Sequence, residues 1–439
     1  MLIPLIITLG IMALISYVLT SGKIYSVGFL TNIVFLVSSL LLLLREAKWN
    51  VSISFETYQV IVLGNIMVMI GEFIVLAINQ KRIRQRVLNS QERAKHGYII
   101  SKRACIIVSC IMILATAFYF YAVYQTIRLS SYNTTYALMA YRIASGQGRG
   151  LYSTILTIIN IFSSVFAYIF SGVLISRIIN KEKIYFRLFT PIICHVAIQI
   201  LSSSRYGLLT FAGGIMIMFS LMLIESSGKK NRMNFKAVRT AIIIVSAAIA
   251  VFWVAGSLTG KTNTDTDFVD TVVIYGGSPI FALNRWLAEN HVLGTLEQSE
   301  ALLGLFNLFN RLGITVFNAG SKIRNAIIVY RSSSELLTTN IYTCYRAYLH
   351  DFSYLGTMLV RLGFGVFYAY LFHVYPQGKK KRNPFKCIVI VSLLTYPVFM
   401  QITEESFLNE LFTITTVLSL FVINIVFNRI VIEENNAKQ

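Results

Sequence analysis

The feature that most constrains this chain is the recurrence of apolar runs about as long as a bilayer is thick. From Leu188 to Ile224 the sequence is almost continuously apolar, and Arg205 is its only formally charged residue. Roughly 20 apolar residues rising about 1.5 Å each cross the hydrocarbon core of a membrane. Eleven such windows can be placed, near 2–20, 25–44, 57–79, 104–126, 151–176, 188–203, 206–224, 240–258, 353–374, 386–402 and 408–428. At 56% hydrophobic and 13% charged residues, the chain carries more apolar surface than a water-soluble core needs. An all-α polytopic membrane protein is expected. The first window opens at Leu2 with no charged leader and no small-residue cleavage site, so no cleavable signal peptide is expected.

Lysine and arginine set the sidedness, because translocated loops are depleted of them. The connectors "QKRIRQRVLNSQERAKHGYIISKR", "RIINKEKIYFR", "SSGKKNRMNFKAVR" and "PQGKKKRNPFK" are strongly basic, and eleven spans put all of them on one face with the C-terminus. That face is read as cytoplasmic. Those segments then hold 25 Lys+Arg against 5 Asp+Glu, and the outer segments 13 against 12. The net charge of +20 thus records topology, and no nucleic-acid partner is expected. The expected division is a transmembrane bundle over 1–258 (spans 1–8, with an outer loop at 127–150), a long outer loop over 259–352 capping the active site, and spans 9–11 with a cytoplasmic C-terminus over 353–439. "ALLGLFNLFNRLGITVF" (301–317) is apolar, but a crossing there would put "GKKKR" outside, so an interfacial or re-entrant helix is expected, with Ser299 and Glu300 at its start.

Ten of the 13 outer basic residues are arginine, against 11 of 25 on the cytoplasmic side. Topology disfavours both residue types outside, so the arginine bias has another cause. The guanidinium fork grips phosphate or carboxylate in two parallel hydrogen bonds, which ammonium does not do. Two readings stand: recognition of a phosphate or acidic sugar, or local ion pairing with the outer acids.

Three stretches carry chemistry. In "LSSSRYGLL" (201–209), Arg205 sits in a polar break between two spans, where a helix N-terminus and a guanidinium would together bind an anion. The alternative is a snorkelling anchor. "TTNIYTCYRAYLHDFSYLG" (338–356) gathers Asn340, Tyr342, Arg346, His350 and Asp351 at the expected membrane surface. An aromatic belt explains its tyrosines only, whereas a sugar surface needs rings beside hydrogen-bonding groups, with His350 or Asp351 as proton acceptor. "IYGGSPIFALNRWLAEN" (274–290) reads as a turn opening an amphipathic helix. There Arg285, Trp286 and Glu289 either bind substrate or pack and pair locally. Arg142, in the 127–150 loop, joins the arginine set.

An Arg after small hydroxyl residues at a span junction, a "YxxGGxxA" segment before an amphipathic helix, and "TNxYTxxRxxxxDFxxLG" leading into a late span together resemble the bacterial oligosaccharide repeat-unit polymerases, the Wzy-type O-antigen and capsule polymerases. The resemblance covers roughly residues 200–365, with Ser353 standing where Gly is expected after "DF". It implies a fold like the C-type glycosyltransferases, in the bacterial cytoplasmic (inner) membrane with the active site on the outer side. The implied reaction transfers a growing glycan from undecaprenyl pyrophosphate to the non-reducing end of an incoming lipid-linked repeat unit. The implied partners are that lipid-linked oligosaccharide, membrane lipid, and a chain-length regulator and flippase. The residue reading and the resemblance together give Arg205, His350 and Asp351 as candidate catalytic residues and Arg142, Arg285, Trp286, Glu289, Asn340, Tyr342 and Arg346 as candidate substrate-binding residues, with no cofactor and no metal expected.

The sequence contains no GxxxxGK[ST], HExxH or CxxC. Asp265 and Asp267 imitate a metal–nucleotide motif, but nucleotide sugars are absent outside the cell. Glu72 and Arg361 fall near mid-span and would pair with each other or face a wet cavity. His195 reads as a packed or hydrogen-bonded residue. The rival functions are a lipid-linked oligosaccharide flippase or other transporter, and a glycan ligase.

Overall fold

A computed structural model of the 439-residue chain describes residues 1–80, 98–130, 137–146, 152–203, 205–227, 268–289, 296, 299–314, 328–331, 336–339, 341–377 and 383–433. The chain opens with α1 (Leu2–Leu19), α2 (Val27–Leu43), a single turn α3 (Glu46–Trp49) and α4 (Phe55–Ile78). Strand β1 (Tyr98–Ile100) leads into α5 (Lys102–Leu129), α6 (Ala137–Gly146) and α7 (Ser153–Ile179). Helices α8 (Thr190–Leu201) and α9 (Arg205–Ser227) form a tight hairpin. Next come α10 (Phe268–Gly276), α11 (Ser278–Ala288) and α12 (Leu303–Arg311), then an antiparallel ribbon of β2 (Ile328–Arg331) and β3 (Leu336–Thr339). Helix α13 (Cys344–Ala369) continues through a π-turn at Tyr370–Val374. The chain ends with α14 (Pro384–Leu393), α15 (Tyr396–Met400), α16 (Phe407–Leu411), α17 (Ile414–Ile430) and β4 (Val431–Glu433).

Among the described residues six helices are long and apolar enough to cross a membrane: Leu2–Leu19, Phe55–Ile78, Lys102–Leu129, Ser153–Ile179, Tyr206–Leu223 and Cys344–Val374. Val27–Leu43, Phe186–Leu201, Pro384–Met400 and Ile414–Ile430 are apolar but shorter. The window expected at 240–258 lies outside the described residues. Leu14, Leu114 and Leu355 are 63%, 70% and 74% exposed, a surface that suits lipid and not water. The chain is thus an all-α membrane protein. Helix α12 has nine residues and reaches only about 14 Å, so it does not cross.

Short polar residues start the helices. Ser26, Ser54, Ser101, Asn383 and Thr413 each accept a backbone N–H of the first turn of α2, α4, α5, α14 and α17. Proline divides the expected span 386–402: Pro397 opens α15 after the break at Leu394–Thr395.

The bundle has two ends. At one, β1 pairs with β4, Tyr98 opposite Glu433, and the Tyr98 ring stacks on Phe385 at 4.3 Å. The start of α5, the start of α14 and the end of α17 therefore meet there, and the first two adjoin basic connectors. At the opposite end the Met1 amino group donates to the Ile53 carbonyl, and α10–α11 lie across the end of α2. Helix α4 and the part of α13 beyond Ser353 run parallel in close contact. A Cβ at Gly365 would come within 2.8 Å of Val68 Cα, so only glycine permits that approach. Buried side chains form two clusters. The first lies among α5, α7–α9, the later part of α13, α14 and α17, and the second holds α1, α2, α4, α11 and the start of α13.

Candidate functional site

Helix α13 is broken at Ser353, whose φ of 55° and ψ of −168° reverse the chain. Its first limb, Cys344–Phe352, folds back along the second limb. Cys344 Sγ lies 3.7 Å from Arg361 Nη1, and the Tyr345 hydroxyl donates to Asn65 Oδ1 at 2.7 Å. Arg361 is seven residues beyond Tyr354, so the tip of the first limb lies about 10 Å below the break. The segment expected at the membrane surface is instead buried: Cys344, Tyr345, Tyr348 and Leu349 are at most 2% exposed. The physical reason is an apolar stripe at i, i+1, i+4 and i+5, which seats this limb against α4 and α11. Gly64 supplies the space for the Tyr345 ring, where a Cβ would overlap it.

On its other side this limb presents Arg346 and His350, one turn apart. The Arg346 guanidinium lies 4.3 Å over the Tyr342 ring and pairs with Glu300 at 2.6 Å. Burial pushes the Tyr342 phenol up to about 12 against the pull of Arg346. His350 Nδ1 is 2.8 Å from Asp351 Oδ1. Asp351 also accepts the Ser299 hydroxyl at 2.6 Å and the backbone N–H of Glu300 and Ala301 at 3.2 and 2.8 Å. Ser299 Oγ in turn accepts the Leu302 N–H. The buried Asp351 therefore holds the turn that opens α12, and that engagement leaves its carboxylate badly placed as a free base. His350 is more open, with its side chain 11% exposed against 0% for Asp351. The Tyr348 hydroxyl donates to Glu405, which also caps α16 through the Leu408 and Asn409 N–H groups.

Arg205 is the first residue of α9, following Ser203 at φ 56°. Its side chain lies outside the described residues. Ser203 Oγ donates to the Leu138 carbonyl, which ties α6, the helix carrying the exposed Arg142, to this hairpin. The Tyr206 ring meets Tyr275 of α10 edge-on at 6.4 Å. From there α10 leads into α11, which Asn284 anchors to Ser54 N and Thr57 Oγ1 at the start of α4. The Arg205 hairpin and the His350 limb thus share the end opposite the basic connectors.

The remaining candidates divide. Trp286 is 4% exposed in the core, so its ring packs the fold and does not face a ligand. Arg285 is exposed and stacks over Phe281 one turn earlier, while Glu289 ends α11 at the surface, near enough to Tyr342 to disfavour its ionisation. Asn340, Asp265 and Asp267 lie outside the described residues. Besides Arg346, two more outer basic residues pair with an outer acid, since Asp270 bridges Arg45 Nε at 2.7 Å and Lys48 at 2.6 Å. Burial alone would raise the Asp270 carboxyl, but the hydrogen bonds and charge of Lys48 and Arg45 outweigh it and hold it below the usual range. Among the described residues no three His, Cys, Asp or Glu side chains converge on a metal position.

Glu72 and Arg361 do not pair. Glu72 takes His373 Nε2 at 2.8 Å, Ser26 Oγ at 2.7 Å and the N–H groups of Val27 and Gly28. Arg361 donates to Asn65 Oδ1 at 3.0 Å and lies under the Tyr345 and Phe364 rings. His195 is buried, 3.0 Å from Ser163 Oγ. Reading the sequence missed Ser299 and Glu300 as partners of Asp351 and Arg346. The capping pattern at 299–302 was visible, but nothing local showed which carboxylate would complete it.

The chain matches no protein-family model, no curated protein and no solved structure.

Proposed function

We propose that the protein is a lipid-pyrophosphate-dependent glycan polymerase with eleven spans, working at the outer face of the bacterial cytoplasmic membrane. The observation that carries this reading is one shared end of the bundle. There a helix of 23 residues begins at Arg205, and His350, its side chain 11% exposed, sits on the Asp351 carboxylate. A helix N-terminus headed by arginine suits a pyrophosphate. Helix ends that adjoin two of the basic connectors lie at the other end, which supports reading the Arg205 end as the outer one.

In this reading the acceptor hydroxyl attacks the anomeric carbon of the growing glycan. The carbon–oxygen bond to the lipid pyrophosphate breaks, and the departing charge is taken up at the head of α9. His350 Nε2 receives the hydroxyl proton, while Asp351 holds Nδ1 and fixes the ring. Asp351 is thus a positioning residue and His350 the base. Arg346, over Tyr342 and against Glu300, forms the polar wall beside them.

Deletion in the native host tests the assignment. Loss of a polymerase leaves single repeat units attached at the surface, loss of a ligase leaves none, and loss of a flippase strands units inside. The flippase reading has one observation in its favour, the buried Glu72–His373 and Asn65–Arg361 contacts between α4 and α13, because transporters carry such polar groups inside their spans.

A further inference from the structure

Away from the Arg205 hairpin and the His350 limb, a cavity of about 270 Å³ lies between α7, the α14–α15 break and α16–α17. Its polar wall includes Asn160, Ser164, Tyr396, Glu410, Thr416 and Ser419, with no Lys or Arg among the described residues that line it. Asn160 is seven residues into α7, about 10 Å from the start of that helix.

The hydrogen-bond roles of these groups are largely fixed by the protein. Asn160 Oδ1 accepts Gln199 Nε2 at 2.8 Å, which turns the Asn160 amide N–H groups to other partners. The Thr416 and Ser419 hydroxyls donate to the carbonyls of Glu410 and Thr415, at 2.7 and 2.8 Å. The Tyr396 hydroxyl donates to Glu404 at 2.6 Å. With their protons committed, these oxygens offer lone pairs to a ligand. The cavity is therefore rich in acceptors, with one amide donor, one carboxylate and an aromatic ring.

That inventory selects among ligands. A phosphate or uronic acid would meet the Glu410 side chain, and none of the described lining residues is a Lys or Arg that could receive its charge. A divalent metal ion would find a single carboxylate where calcium takes six to eight oxygens. A neutral sugar ring brings several hydroxyl donors and an apolar face for Tyr396 and Leu393. The volume lies below the roughly 300–1,000 Å³ of drug-sized sites, which fits one sugar and not a whole repeat unit.

We propose that this cavity is a subsite for one neutral sugar residue, and that it holds the acceptor glycan. The second half of that statement rests on the polymerase reading, whereas the first does not.

The test is saturation-transfer NMR on the full-length protein in detergent, with N-acetylglucosamine, galactose and glucuronic acid as probes. Transfer to a neutral sugar and none to glucuronic acid is the expected result. Asn160→Leu should weaken that transfer about fivefold, as loss of one hydrogen bond implies. Thr416→Val, which exchanges a hydroxyl for a methyl, should weaken it too and serves if Asn160→Leu does not fold. Glu410→Gln should admit glucuronic acid. No transfer from either neutral sugar, or transfer unchanged in both Asn160→Leu and Thr416→Val, overturns the subsite. Repeat-unit ladders bear on the other reading alone: ladders that persist in the deletion strain remove the polymerase and leave a cavity that binds sugar.

Discussion

The Asp351 carboxylate accepts the Ser299 hydroxyl at 2.6 Å, and through that contact a membrane helix fixes the segment that opens α12. The N–H groups of Glu300 and Ala301 and the His350 ring complete the set, so both oxygens face donors. Asp351→Asn must turn an amide N–H toward one of them. The expected loss is about 1.5–3 kcal/mol, the range for a hydrogen bond to a charged group, seen as a lower thermal midpoint in detergent. His350→Gln should leave the midpoint nearly unchanged and remove polymer synthesis. An unaltered midpoint in Asp351→Asn would show that the carboxylate is no tether.

Ser353 has φ 55° and ψ −168°, a conformation in which a side chain is strained and glycine is not. The position where the resemblance expects Gly is thus one where the backbone favours it. Ser353→Gly should raise stability by about 1 kcal/mol, and Ser353→Val should lower it by at least as much. Thermal melting of the two purified variants beside the wild type decides this, and a destabilised Ser353→Gly would contradict the strain.

The crossing helices were legible because burial in lipid demands long unbroken apolar runs. Leu2–Leu19, Phe55–Ile78, Lys102–Leu129 and Ser153–Ile179 fall within a few residues of the windows read from hydropathy. The first limb of α13 was not legible. Its Arg346, His350 and Asp351 look like a surface loop until Glu300 and Ser299, about fifty residues earlier, come round to satisfy them. The partner of Glu72 failed for a related reason. In the parallel packing of α4 on α13, Val68 lies against Gly365, so Arg361 falls level with Asn65 and His373 reaches Glu72. Helix register of that kind is a tertiary fact that hydropathy does not encode.

Asp270 joins α10 to Arg45 and Lys48, and its carboxyl is held below its ordinary value of 3.8. A carboxylate depressed in the folded state contributes stability that is fully present above its unfolded pKa. That contribution is lost as pH falls through the folded pKa. Asp270→Asn should therefore melt lower than wild type at pH 6 to 8, and the gap should close as the pH is taken below the ordinary carboxylate range. A gap that stays constant down to low pH would assign the effect to packing.

Arg205 should be the residue least able to tolerate change, lysine included. It begins α9, where the free N–H groups of the first turn and the helix dipole already favour an anion. If its fork meets the leaving pyrophosphate there, Arg205→Ala removes roughly 3 kcal/mol of transition-state stabilisation, on the order of a hundredfold in rate. Arg205→Lys keeps the charge but loses the bidentate contact, so it recovers only part of that loss. A snorkelling anchor makes the opposite demand, because lysine reaches the interface equally well. The measurement is the surface-polymer ladder of each variant in a deletion strain, at membrane levels matched by immunoblot. Wild-type ladders from Arg205→Lys would sink the phosphate contact and leave the α8–α9 junction as a structural hairpin. Shortened ladders at equal protein would separate the guanidinium from the charge.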